Sequence, residues 1–154
     1  MKRWIAFLLA SCMVFAFAAC GKEAKNPVVA DVMAEIRRGI EFPEMAEKSL
    51  EDLPGYGYDS LDPASVEEMS YIIAGSGLTA EEVFIVKCKE GTDMESIQSM
   101  MTARRDQIAQ DAIDYTPSES EKVTTAVIGT AGNYAYFAIT GDNTKAKEIF
   151  DASF

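Results

Sequence analysis

An α+β sandwich built on one antiparallel sheet of about four strands is the fold class this chain predicts. The elements run ββαββα behind a leading helix. Three observations predict it. Residues 82–89 alternate two apolar sets, Phe84, Val86 and Cys88 against Val83 and Ile85. Between Gly91 and Pro117, apolar residues recur at helical spacing. Residues 121–139 hold two apolar runs joined by a glycine-containing turn. Strands that follow one another directly, with helices set between pairs, favour an antiparallel sheet packed on helices.

The elements follow in order. Asn26-Pro27 reads as a helix start, a capping residue followed by proline at the first helical position. Val28, Val29, Val32, Met33, Ile36 and Ile40 then recur at helical spacing, so Val28 to Arg38 is predicted as an amphipathic helix stopped at Gly39. Met45 to Leu53 is expected to form one or two helical turns. Leu53 to Asp59, with Pro54, Gly55 and Gly57, is a turn-rich loop. A strand is expected over about Glu68 to Ala74, joined through Leu78-Thr79-Ala80 to a strand over Glu82 to Lys89. Thr92 and Glu95 have capping-box spacing, and Ile97, Met100, Met101, Ile108 and Ala112 make the inward stripe of a long helix. Arg104 interrupts that stripe and is expected to lay its stem along the core edge with its head in water. Thr116-Pro117 ends the helix. Glu121 to Ile128 and Tyr134 to Ile139 are expected as strands around a turn at Gly129 to Asn133. Gly141-Asp142-Asn143 starts a last helix with Ala146, Ile149 and Phe150 inward.

Alternation assigns the sheet two apolar faces. Phe84, Val86, Cys88, Val123, Val127, Ala135, Phe137 and Ile139 are expected toward the long helix. Val83, Ile85, Ala126, Ile128, Tyr134 and Tyr136 are expected on the other face, which is too apolar to stand bare. Two readings remain for that second face. The N-terminal helix covers it, or part of it joins Tyr56 and Tyr58 in an aromatic surface for a ligand or partner.

Composition excludes several chemistries. The 154 residues carry 14 Lys plus Arg against 25 Asp plus Glu, a net charge of −11, with three cysteines and no histidine. Zinc fingers, Ser-His-Asp triads and Cys-His proteases are therefore excluded. The acidic balance argues against nucleic acid. No phosphate-cradling loop occurs, and Ala74-Gly75-Ser76-Gly77 only approaches a nucleophile elbow. Asp59, Asp62, Glu67 and Glu68 gather near one loop but lack calcium-loop spacing, so a solvated turn with Asp62 as a cap is expected. The expectation is no catalytic residue, no metal site and no cofactor.

The N-terminus addresses the chain. Lys2 and Arg3 precede a run of 16 uncharged residues, Trp4 to Ala19. As a helix that run reaches roughly 24 Å, short of a ~30 Å hydrocarbon core. A basic head, a short apolar run and a small-residue exit read as a secretory signal over residues 1–19. The exit, Phe17-Ala18-Ala19-Cys20-Gly21, resembles a bacterial lipobox, although Phe17 stands where an aliphatic residue is usual. That resemblance implies a diacylglyceryl group on Cys20 Sγ and cleavage before it. Residues 20–26 would be the lipidated start and a short tether, and residues 27–154 a single domain. Removing 19 residues, among them Lys2 and Arg3 and no acid, takes the chain to 135 residues and a charge of −13. Cys12 leaves with the leader, and Cys88, alone in an apolar run, is expected to be a small buried hydrophobe with no disulfide partner.

Beyond the signal, the layout resembles a family of small, uncharacterised Gram-positive bacterial lipoproteins built around a domain of unknown function. The residues that carry it are the Lys2-Arg3 signal ending in Ala18-Ala19-Cys20, the early helix Val28 to Arg38, Tyr58-Asp59 leading to Val66-Glu67-Glu68, Leu78 to Lys87, and Gly132 to Ile139. The resemblance implies an envelope lipoprotein and assigns no catalytic residues. The expected function is a membrane-anchored extracytoplasmic binding or accessory module. Its expected partners are the membrane, through lipidated Cys20, and an envelope protein, peptide or small ligand. The alternatives are a small carboxylate- or metal-dependent envelope enzyme and a self-associating structural subunit.

Overall fold

The computed structural model describes residues 25–154. They contain four α-helices and a five-stranded antiparallel sheet. Helix α1 is Val29–Gly39, and the strands are β1 (Met45–Lys48), β2 (Val66–Ala74), β3 (Glu82–Cys88), β4 (Val127–Ala131) and β5 (Tyr134–Ile139). Helices α2 (Met94–Tyr115) and α3 (Ser120–Thr124) stand between β3 and β4, and α4 (Asn143–Ser153) closes the chain. The sheet order is β1-β2-β3-β5-β4.

The predicted class holds, with one more strand than expected. Met45–Lys48 forms an edge strand, Met45 opposite Ala74 and Lys48 opposite Tyr71, where helical turns were expected. Four residues are too few to show a period, and the pairing offered by β2 overrides the helix propensity of Met, Ala, Glu and Lys. A 3₁₀ segment, Leu50–Tyr56, follows under a capping box between Ser49 and Asp52.

The second correction concerns residues 121–128. Ser120–Thr124 is a helical turn, and the strand begins only at Val127. Val123 and Val127 are four apart, a spacing that fits either period. The later start swaps the faces of β4. Ala126 and Ile128 pack toward α2, while Val127 packs on the other side. The turn into β5 is also tighter than expected: Ala131 pairs with Tyr134, leaving only Gly132 and Asn133, with Gly132 at φ +58°.

Central strand β3 is buried on both faces, as alternation indicated. Phe84, Val86 and Cys88 join Ala135, Phe137 and Ile139 against Ile97, Met101, Ile108 and Ala112 of α2. Val83 and Ile85 join Val32, Met33 and Ile36 of α1 and Ala146 and Phe150 of α4. Each fully buried Phe or Ile contributes about 1.5–3 kcal/mol, so the two-sided strand is the organising element. The second face is covered by α1 and α4 together. They approach so closely that a Cβ on Gly39 would stand 3.1 Å from Ile149 Cδ1.

Two helix starts differ from expectation. Asp93, and not Thr92, caps α2, its Oδ1 accepting from the Glu95 and Ser96 amides at 3.1 Å. The Thr92 hydroxyl instead donates to Lys89 O. Asn26 does not cap α1, because the first-turn amide of Val29 donates to Glu68 Oε2 of β2 at 3.0 Å.

Candidate functional site

Glu82 opens β3 on the same face as Phe84, inside the core that α2 covers. It is 3 % exposed. A carboxylate there must be paired. Arg104, the residue that breaks the α2 stripe, supplies the partner. Its Nε donates to Oε1 at 3.0 Å and its Nη2 to Oε2 at 2.7 Å. The expectation of a head in water is thus overturned: the apolar stripe carries the guanidinium into the core edge. Tyr71 Oη donates to Glu82 Oε1 at 2.8 Å. The Tyr56 ring lies 5.3 Å from the guanidinium carbon, and the Tyr58 ring packs 4.8 Å from Phe84.

The cluster's electrostatics describe a frame. Burial, and then the Glu82 charge, push the Tyr58 and Tyr71 hydroxyls far above their usual range, so both stay neutral. Burial alone would lower the Arg104 pKa, but the hydrogen bonds and charge of Glu82 raise it. Both Glu82 oxygens are occupied, leaving it without the free lone pair a general base needs.

Beside this frame lies a cleft of about 280 Å³, between the β2–β3 loop and the C-terminal half of α2. Its walls include Gly75, Ser76, Gly77, Glu81, Arg104 and Asp111. Glu81, only 7 % exposed, receives Lys122 Nζ on Oε1 at 2.6 Å, while its Oε2 has no partner. Lys122 also donates to Glu119 Oε2, which accepts from the Ala80 amide. Burial alone would raise the Glu81 pKa; Lys122, with help from the neighbouring Thr79 hydroxyl, takes it below the usual value. Thr79 Oγ1 and Glu81 Oε2 are nonetheless outside hydrogen-bonding geometry. A wider depression of about 610 Å³ lies beside Arg37, Arg38 and Phe42. Its charges stand in water, and Arg37 is already paired with Glu47.

The four tyrosines expected in one surface do not share one. Tyr56 and Tyr58 pack on the α2 side, and Tyr134 and Tyr136 on the α1/α4 side. Tyr58 is buried. Tyr134 is buried too, its hydroxyl donating to Asn26 Oδ1 at 2.7 Å and Pro27 O at 2.9 Å. Tyr136 stacks on Phe150 at 4.4 Å and Phe154 at 5.4 Å. Helix α4 supplies these rings, a cover that strand periodicity alone does not reveal. Cys20 lies outside the described residues. Cys88 is buried, and burial raises its thiol pKa.

The acids near residue 60 do not converge. Asp62 caps the short turn that follows through the Ala64 amide, while Glu67 and Glu68 face Lys87 Nζ at 3.2 and 3.5 Å. Among the described residues no group of three or more acids, cysteines or histidines is placed to hold a metal ion. No helix there is long and apolar enough to cross a membrane. The sequence signal for the Glu82–Arg104 pair was present as two violations of pattern: an acid on an apolar strand face and an arginine in an apolar helix stripe.

Residues 45–140 match the model of a family described as a domain of unknown function, DUF4358. The match covers more than half of the chain, and the chain belongs to that family. It runs from the first residue of β1 to just past β5, taking in the cleft, α2 and the Glu82–Arg104 pair. No curated protein and no solved structure matches the chain.

Proposed function

We propose that this DUF4358 protein is a lipid-tethered, extracytoplasmic binding or accessory module of the bacterial cell envelope. The observation that carries the reading is Cys20, which follows Ala18-Ala19 at the end of the uncharged run begun by Lys2-Arg3. Two acyl chains, at about 0.8 kcal/mol per buried CH₂, hold a protein stably where one chain does not. Eight residues separate Cys20 from the start of α1 at Val29. At roughly 3.5 Å each they span at most ~28 Å, which keeps the domain close to the bilayer. The net negative charge repels anionic headgroups, so the lipid would do the holding. Binding is favoured over catalysis because Glu82 is fully engaged and the buried tyrosines are held neutral, while the neighbouring cleft is open.

Mass spectrometry of the N-terminal peptide from protein taken from the native membrane tests the anchor. The expected peptide starts at Cys20 and carries a thioether-linked diacylglyceryl group. A peptide starting at Met1, or a free thiol at residue 20, refutes the proposal.

A further inference from the structure

We infer that the free edge of β4 pairs antiparallel with β4 of a second copy of this chain, joining two five-stranded sheets into one. The hydrogen-bond pattern of the β4–β5 hairpin carries it. Across a two-residue turn, Ala131 and Tyr134 exchange both backbone bonds, and so does every second pair from there, Gly129 with Tyr136 and Val127 with Ala138. The Cys88 amide donates to Asn133 O at 2.8 Å, so Asn133 faces β3 and Tyr134 faces β4, as this pattern requires. The N–H and C=O groups of Ile128 and Thr130 therefore point away from β5, out of the sheet edge. The two edges of the sheet differ. On β1, Glu47 pairs with Arg37 at 2.9 Å, and Lys48 Nζ stands 5.4 Å from the Tyr56 ring centre. Edge charges of this kind deter a further strand. β4 has no charge, no proline and no break in register, and no charged residue occurs from Val123 to Gly141. An edge left this open is a template for another strand.

Three observations name a second copy as that strand. First, the edge complements itself. A two-fold axis at Gly129 sets Ile128 opposite Thr130 of the second copy, and Thr130 opposite its Ile128. These are the outward-facing residues, so four N–H···O bonds close together. The next outward amide, Ala126, already donates to Val123 O, so this register is the one that uses the free groups of β4. At the axis Gly129 meets Gly129, with no side chain to hold the backbones apart. Second, charge permits the pairing. The chain carries −11, yet residues 125–133, which face each other across the axis, are all uncharged, so no like charges meet. Third, the tether permits it. An axis relating two antiparallel neighbours is normal to the sheet, so both copies present α1 and α4 on the same side. Asn26 and Pro27, held by the Tyr134 hydroxyl at 2.7 and 2.9 Å, lie on that side. Cys20 precedes Lys25 by five residues, so two anchored chains reach one bilayer together. This last point rests on the anchor proposed above. Confinement on that surface raises the effective concentration, which offsets the small interface of a five-residue strand.

Cysteine pairs on the full chain in its native membrane test the register. Ile128 and Thr130 of the second copy would stand about 5.5 Å apart at Cα, inside disulfide range. Two copies of the same residue lie on a diagonal of roughly 7–8 Å, beyond it. Cells producing Ile128→Cys and Thr130→Cys chains together, treated with diamide, are expected to give a disulfide-linked dimer that joins the two peptides. Neither chain alone is expected to give one. Hydrogen exchange of the wild-type ¹⁵N-labelled chain in detergent micelles is a second reading that needs no substitution. The Ile128 and Thr130 amides are expected to slow by about tenfold or more as loading rises from one chain per micelle to two. Thr130→Pro removes two of the four intermolecular bonds and none to β5, since an edge strand tolerates proline where its N–H faces solvent. It is expected to abolish the slowing at Ile128 and leave Tm unchanged. No mixed dimer, or fast exchange at every loading, overturns the inference. So does a dimer formed equally by either cysteine alone. Slow exchange already at one chain per micelle overturns it by placing another part of this chain on the edge, and crosslinks to a different protein in place of the dimer assign the edge to that partner. The two proposals fail separately: a chain with no acyl group that still pairs refutes the anchor alone, and an acylated chain whose edge amides exchange fast refutes the pairing alone.

Discussion

Replacing Arg104 by Met tests what the buried pair contributes. The methionine keeps an unbranched apolar stem on the α2 stripe and removes the guanidinium. Glu82, 3 % exposed, then keeps only the Tyr71 hydroxyl as a partner. A charge stranded in this way costs about 3–5 kcal/mol, a fifth or more of the ~5–15 kcal/mol that holds a typical domain. For a domain of this size each kcal/mol moves Tm by roughly 4 °C, so a fall on the order of 10–20 °C is expected. The double variant Glu82→Leu/Arg104→Met removes both charges and fills the space with apolar atoms. It is expected to lie within about 1 kcal/mol of wild type, or above it. Urea unfolding followed by far-UV circular dichroism measures both, because the one tryptophan, Trp4, lies outside residues 25–154. If Arg104→Met costs under about 1 kcal/mol, as an exposed pair would, the pair is not desolvated. If the double variant loses the sum of the single losses, the two residues are not coupled.

Three further outcomes are expected. Glu81 has a pKa below its usual 4.5, so the stability it contributes is present above that value and lost as pH falls through the folded-state value. Lys122, raised above 10.5 by Glu119 and Glu81 against the lowering effect of burial, contributes below that value and loses it as pH rises. Lys122→Met should therefore flatten both limbs of the urea midpoint against pH; an unchanged acid limb counts against the Glu81–Lys122 contact. Asp93→Ala should cost about 1 kcal/mol and Thr92→Ala clearly less, since only Asp93 accepts the first-turn amides; the reverse order in thermal melts rejects the cap. Tyr134→Phe should cost about 1 kcal/mol and speed hydrogen exchange at the amides of Val28 and Val29, by releasing Asn26 and Pro27.

What was legible in the sequence was whatever had room for a period. The seven residues of β3 alternate long enough to assign both faces, and the 22 of α2 carry several turns of stripe. The four of β1 carry no period, and their strand character comes from the β2 edge. Val123 and Val127 show the opposite failure, a spacing read correctly that two periods share. Gly129 shows a third. It reads as a turn residue, yet it sits within β4 because a Cβ there would stand 2.5 Å from the hydroxyl of Tyr136, its partner across the ladder. The glycine makes room for a ring that α4 then covers.

The site was harder to read for a different reason. The tyrosines at 134 and 136 were correctly placed on one face, but exposure is not a property of a strand. It depends on which helix arrives, and α4 begins only after both. Glu82 and Arg104 are 22 residues apart on unlike elements, so no spacing rule joins them. Each breaks the apolar pattern of its own element, and a buried charge cannot be solvated where it stands. Two such breaks pointing into one core, of opposite sign, satisfy each other at the least cost, and that constraint could have paired them before any coordinates existed.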